Sequence, residues 1–187
     1  FGPNGIEHTI TDRLLEHLAG AKKSVLIENP YLVPTKRFLS VLQALRDRGV
    51  QVRILTNSLE STNSILVFSG YDHYKPLLLR MGVELWEYKG PHVLHAKSAV
   101  IDDQISIIGS YNLDPRSAQL NTEVALVSRS PEKAAELMAS LDLRLLDSRR
   151  IGPDGRPVEH SPHRMPLRKL LAMKCAKLLL PLTESQL

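Results

Sequence analysis

His95-Ala96-Lys97-Ser98-Ala99-Val100-Ile101-Asp102, followed by Gly109-Ser110-Tyr111-Asn112, organises the rest of this chain. In a strand, residues two apart share a face. His95 and Lys97 therefore point the same way from the start of a strand over 96–101. A second strand, 105–109, follows across the turn Asp102-Asp103-Gln104. Paired antiparallel, the two strands bring their outer ends together. His95 and Lys97 then meet Ser110 and Asn112. Asp102 lies at the far end, where its carboxylate is expected to bond backbone amides or a basic side chain.

An imidazole, an ammonium, a hydroxyl and a carboxamide at one spot suit a phosphate. Lys97 neutralises non-bridging oxygens, and Ser110 and Asn112 donate hydrogen bonds to them. His95 can attack phosphorus or carry a proton, because its ordinary pKa lies near neutral. Glu123, expected to open the next strand, is placed to meet the far ring nitrogen of His95 and fix its tautomer. Each residue alone has a plain structural explanation: a surface histidine, a solvated lysine, a turn carboxylate, a strand end. At these spacings the six fixed positions arise by chance in on the order of one chain in a million.

The surrounding pattern is α/β. Ile10, Leu14, Leu15 and Leu18 recur at helical spacing. Residues 23–28 read as a buried strand ended by Asn29-Pro30, and 36–48 as a helix stopped at Gly49. Strand 50–56, helix 63–81 and strand 83–88 follow, with a break or kink expected before Pro76. After the motif come strand 123–128 and a helix to about residue 146, with Ser130 as N-cap and Pro131 in its first turn. Strands alternating with helices, then adjacent strands, predict a mixed sheet. Trp86 and Tyr88, two apart on a strand, read as core. Residues 152–166 read as a linker. Residues 167–180 are Leu-rich but carry Arg168, Lys169, Lys174 and Lys177, which reads as a short surface or docking helix. The expected division is a catalytic domain over 1–148 and a basic, Leu-rich tail over 149–187.

The 187 residues are 43% hydrophobic and 24% charged, which excludes a disordered chain. No run of about 18 uncharged apolar residues suits a membrane-spanning helix. The single cysteine, Cys175, excludes an internal disulfide framework and a cysteine-cluster zinc site. The chain opens on Phe1 without a signal peptide, so it is expected to be a fragment of a longer one. Residues 1–143 hold 15 Lys+Arg and 16 Asp+Glu, a net of −1, whereas 144–187 hold 9 and 4, a net of +5. A basic tail suits an anionic membrane surface or a nucleic acid. The charge of the body weighs against a nucleic acid.

The pattern H-x-K-x4-D-x6-G-S-x-N resembles the signature of the phospholipase D superfamily, with Glu123 at the expected downstream place and Asp102 and Gly109 as its structural members. The stretches Asn29-Pro30-Tyr31-Leu32-Val33-Pro34, Leu55-Thr56-Asn57-Ser58-Leu59, Gly109 to Ser117 and Asn121-Thr122-Glu123 are similar to the bacterial cardiolipin synthases, the type C enzymes above all. So is the ending Pro181-Leu182-Thr183-Glu184-Ser185-Gln186-Leu187. The resemblance implies a phospholipase D-like α/β/α sandwich and transfer of a phosphatidyl group between phospholipids. One histidine forms a phosphohistidine, and the other protonates the leaving alcohol. No cofactor and no metal are implied, because paired Lys, Ser and Asn side chains supply the charge and the donors.

Such synthases carry two copies of the motif around a pseudo-twofold axis. None of the other histidines here opens a second H-x-K-x4-D. The chain is thus expected to supply one repeat of the usual two, completed by the N-terminal half of a parent chain or by a homodimer mate. Phosphatidylglycerol is the expected substrate, with phosphatidylethanolamine as a further candidate, at the cytoplasmic face of a bacterial inner membrane. The alternatives are a homodimeric phosphodiesterase or nuclease and an inactive half-domain. Tyr31 and Pro34, past a strand's carboxyl end, and Asp114 and Arg116, which pair or line an entrance, are the candidate substrate-lining residues. Leu32, Val33 and Leu94 are candidates for apolar surface beside His95.

Overall fold

The structure is a computed structural model that describes residues 9–159, 168–169 and 171–176. Its elements in chain order are α1 (Thr9–Ala19), β1 (Ser24–Glu28), α2 (Lys36–Asp47), β2 (Gln51–Asn57), α3 (Ile65–Arg80), β3 (Glu84–Tyr88), β4 (Ser98–Ile101), β5 (Ile105–Gly109), α4 (Pro115–Gln119), β6 (Ala125–Ser128), α5 (Pro131–Leu146) and β7 (Ser148–Arg150). The seven strands form one sheet in the order β6-β5-β4-β1-β2-β3-β7. β1, β2 and β3 run parallel, and the other neighbours pair antiparallel. The mixed sheet and the α/β/α layering are those expected from the sequence.

Parallel strands are covered on both faces, so they read as continuous apolar runs. β1, Ser-Val-Leu-Ile-Glu, is such a run: Val25 and Ile27 join the larger core with α1, α2 and α3, while Leu26 packs with Val100 against Ala134 and Leu141 of α5. The helix ends follow local chemistry. Thr35 accepts the Phe38 N–H at 3.3 Å and opens α2, and Ser130 with Pro131 behind it opens α5. Gly49, at φ 78°, ends α2 in a left-handed conformation.

Three features depart from the sequence expectations. α3 runs unbroken through Pro76. β3 buries Leu85 and Glu87 and leaves Trp86 and Tyr88 half-buried, the reverse of the expected face. Glu87 is tolerated there because Lys75 stands 2.8 Å and Arg149 3.2 Å from its carboxylate. Third, β7 was not foreseen. It spans the expected boundary between 148 and 149, and Arg149 pairs with Glu60 at 2.8 Å as well as with Glu87. Further on, 168–169 and 171–176 are helical. Met173 packs against the core, and Lys169 Nζ donates to the carbonyls of Leu59 at 3.0 Å and Glu60 at 2.8 Å. The rest of the expected Leu-rich helix lies outside the described residues. Among the described residues no helix is long and apolar enough to cross a membrane.

Candidate active site

β4 and β5 form the expected hairpin, with Ser98 opposite Ile108 and Ile101 opposite Ile105. Asp102 and Asp103 take φ of 55° and 57°, the left-handed pair that a tight hairpin turn requires and that aspartate tolerates. The Asp102 carboxylate accepts the backbone N–H groups of Lys22 at 2.8 Å, Lys23 at 2.7 Å and Ser24 at 2.9 Å. Burial pulls this carboxyl up, but the three amides outweigh it and hold the group below the ordinary aspartate value. Asp102 therefore fixes the entry to β1 at the end of the sheet away from His95.

At the other end, the ladder continues past β4: Gly109 N donates to Lys97 O at 3.0 Å. The extended segment that precedes β4 thus carries His95 and Lys97 beside the end of β5. His95, Lys97, Gly109, Ser110, Asn112, Leu120, Asn121, Thr122 and Glu123 line one open cavity of about 730 Å³. The five residues expected to converge do so. The cavity lies at the carboxyl ends of the parallel strands, where α/β folds gather their sites. A Cβ on Gly109 would collide with the Val124 carbonyl, so a side chain there would push β5 and β6 apart.

The side chains differ in how they are held. Lys97 Nζ donates to the His95 carbonyl at 2.7 Å. Burial, and then the Lys97 ammonium, hold the His95 ring below the ordinary histidine value. Burial likewise lowers Lys97, against the opposing pull of Glu123 and Asp114. Asn112 Oδ1 is buried and takes no hydrogen bond among the described residues, so a polar atom at the cavity is left unmatched by the fold.

Glu123 reaches the cavity but not the partner expected of it. It lies two residues before β6, and its carboxylate accepts from Ser110 Oγ, from Ser117 Oγ at 2.7 Å and from Asn121 Nδ2 at 3.1 Å. Among the described residues no bond joins it to the His95 ring. The backbone explains this: Ser110 N donates to Val124 O at 2.9 Å, which sets Glu123 beside the hydroxyl rather than the imidazole. Glu123 holds the Ser110 and Ser117 hydroxyls and the Asn121 carboxamide, not the ring.

Of the remaining candidates, Tyr31 borders the site. Its ring meets the His95 ring edge-on at 5.8 Å, and its hydroxyl donates to Asn63 Oδ1 at 2.9 Å. Pro34 is buried and lines no part of the cavity. Asp114 is a helix cap: its carboxylate accepts Ser117 N at 2.7 Å at the start of α4. Burial pushes it up to about 6, against the hydrogen bond from Ser117. Arg116 is exposed and forms no ion pair with Asp114, and neither lines the cavity. Leu32, Val33 and Leu94 are buried core, and the exposed apolar residue at the cavity is Leu120. His73 and Lys75 repeat the H-x-K spacing, but they lie in α3 and Lys75 is buried against Asp72 and Glu87. Ser117 and Asn121 join the site through Glu123, and sequence reasoning missed their part. The Asp114-Pro115 pair, a cap followed by proline, is the signal that locates α4 and with it Ser117.

Residues 14–144 match the family described as the cardiolipin synthase, phospholipase D-like domain. The chain belongs to this family. It is 35% identical over 156 residues to cardiolipin synthase C of Escherichia coli, covering 74% of this chain and 32% of that protein. The chain spans less than a third of the length of the curated relatives it matches. In fold it is similar to Nuc of Salmonella typhimurium, a phospholipase D family member, with a TM-score of 0.63 and 18% identity over 75% of this chain and 89% of that one. It is also similar to the phosphatidylserine synthase of Haemophilus influenzae, with a TM-score of 0.71 and 15% identity over 100% of this chain and 46% of that one.

Proposed function

We propose that the chain is one half of a phospholipase D-type phosphatidyltransferase that makes cardiolipin. The observation that carries this reading is the single cavity lined by His95, Lys97, Ser110 and Asn112. It holds a ring kept below the ordinary histidine value beside a cation and neutral donors. In the proposed reaction, one of two histidines attacks the phosphorus of phosphatidylglycerol. A phosphorus–nitrogen bond forms, and the phosphorus–oxygen bond to the headgroup glycerol breaks. The second histidine gives its proton to that oxygen. It then takes the proton of a second phosphatidylglycerol hydroxyl, which attacks phosphorus and releases the first histidine. His95 is one of the two. Lys97 and the Asn112 carboxamide receive the charge on the non-bridging oxygens, and Ser110, its proton held by Glu123, supports the wall beside them.

The second histidine comes from the N-terminal half of a parent chain or from a second copy. The cavity is open to solvent, and exposed Leu120 among its lining residues offers apolar contact to a partner half or to lipid. The site works at the cytoplasmic face of a bacterial inner membrane, with the basic tail attracted to anionic lipid. The test is product formation on phosphatidylglycerol vesicles by the chain alone and by a two-motif parent enzyme. Cardiolipin and glycerol in equal amounts from the parent support the reading. Hydrolysis to phosphatidic acid alone, or cleavage of nucleic acid in preference to lipid, overturns it.

A further inference from the structure

The geometry points to Asn29 and Asn57 as positioning residues of this half-site. Each follows or ends a buried parallel strand, and each is almost wholly buried, at 3% and 2% exposure. Each spends its carboxamide on the backbone of a loop that carries a cavity residue. Asn57 Nδ2 donates to Leu94 O at 2.9 Å, and its Oδ1 accepts Leu94 N at 3.0 Å. The residue so gripped on both sides immediately precedes His95. Asn29 Nδ2 donates to Tyr111 O at 3.1 Å, and its Oδ1 accepts Leu113 N at 3.1 Å. The two gripped residues flank Asn112.

Facing a carbonyl on one side and an N–H on the other leaves each carboxamide one orientation. The arrangement imitates a strand partner: a side chain completes the donor–acceptor pair where the loop backbone has left the sheet. The two clamps are further tied in. Asn57 Nδ2 also reaches Pro30 O at 3.2 Å, and Asn29 Oδ1 also accepts Tyr31 N at 3.3 Å. Pro30 and Tyr31 lead from Asn29 to the ring that meets His95 edge-on. One clamp sets the histidine and the other the carboxamide donor, and the segment between them couples the two. Neither asparagine lines the cavity, so they act through the loops they hold.

This inference rests on the catalytic reading of the cavity, and the test separates the two. Asn57→Asp and Asn29→Asp keep the shape of each side chain. A carboxylate cannot donate to Leu94 O or Tyr111 O, whereas a protonated carboxyl restores one donor and one acceptor. Each variant is made in the full chain, and in the two-motif parent for turnover on phosphatidylglycerol, and compared with wild type from about pH 9 down to about pH 5, a span that brackets a buried carboxyl's raised pKa. In the ionised form, the N–H groups of Leu94 and Leu113 keep an acceptor, but repulsion between the new carboxylate oxygen and Leu94 O or Tyr111 O should open the clamp. Amide exchange should then quicken by about tenfold or more at Leu94 in Asn57→Asp and at Leu113 in Asn29→Asp, with the β1 and β2 amides unchanged. Relative kcat should fall by about 10- to 100-fold, the scale of a displacement of about 1 Å, with KM within about threefold. Both effects should reverse on protonation. Quickened exchange with unchanged kcat, or a loss of kcat that acid does not restore, overturns the inference. If the wild-type parent does not turn over lipid, the catalytic reading is what has failed. The exchange arm then decides the clamps by itself: local loss at Leu94 or Leu113 upholds them, and no change or loss throughout the fold refutes them.

Discussion

The Ser110 hydroxyl donates to the Glu123 carboxylate, and Val124 N donates back to Ser110 Oγ at 3.1 Å. The acid that a triad would place on the histidine instead takes the Ser110 proton and ties that side chain to the segment leading into β6. Glu123→Ala should therefore release Ser110, Ser117 and Asn121, lower kcat of a two-motif parent by about 10- to 100-fold through a displaced cavity wall, and leave the titration of His95 where it is. An NMR titration of the ring checks this. Loss of a carboxylate partner on the ring would lower the histidine value by about a unit or more.

Lys97 acts on His95 with the opposite sign. Burial and the Lys97 charge both disfavour the imidazolium, so the ring titrates below the ordinary histidine value. Removing the cation in Lys97→Met should raise the His95 midpoint, though burial keeps it from overshooting the ordinary value. In a two-motif parent, turnover should fall at every pH by about 10²-fold or more, because the cation proposed to meet the non-bridging oxygens is lost as well. A midpoint that falls in this variant would contradict the assignment.

Asp102 carries stability rather than chemistry. Asp102→Ala removes the acceptor of the amides of Lys22, Lys23 and Ser24 and should cost about 1–3 kcal/mol. Asp102→Asn tolerates the left-handed turn and keeps one acceptor oxygen, so it should cost less. The folded-state value is depressed, so its contribution is complete above the unfolded value of about 4 and is lost as pH falls through the folded one. The gap between wild type and Asp102→Asn should be constant above about pH 5 and close in stronger acid. Denaturant unfolding across pH measures it.

Much of the site was legible because strand alternation is a short-range rule. Residues at 95, 97, 110 and 112 share one edge as soon as the hairpin is paired, and Asp102 is then at the other edge. What escaped depends on side chains reaching across elements. β7, Ser-Arg-Arg, has no apolar alternation and is held by ion pairs of Arg149 with residues 62 and 89 positions away. Glu87 reads as a solvent-facing charge until Lys75 and Arg149 are seen beside it. Glu123 fits either partner by sequence distance, and only the β5–β6 register places it on Ser110.

The tail is the least sequence-legible part. Lys169 is committed to the carbonyls of Leu59 and Glu60, whereas Arg168 and Lys174 are exposed. If the tail draws the domain to anionic lipid, each exposed cation contributes about 1 kcal/mol. The double variant Arg168→Gln, Lys174→Gln should then bind phosphatidylglycerol vesicles about 30-fold more weakly in a sedimentation assay, and salt should weaken both proteins. Equal sedimentation of the two removes these cations from membrane attraction.

The most direct test of the account is cardiolipin formation from phosphatidylglycerol by a two-motif parent enzyme carrying His95→Ala. Loss of a histidine that moves the proton or bonds phosphorus should reduce the rate by about 10²–10⁴-fold or more, with fold and vesicle binding intact. A rate within about threefold of wild type would mean that His95 neither attacks phosphorus nor moves a proton, and that this cavity is not half of the active site.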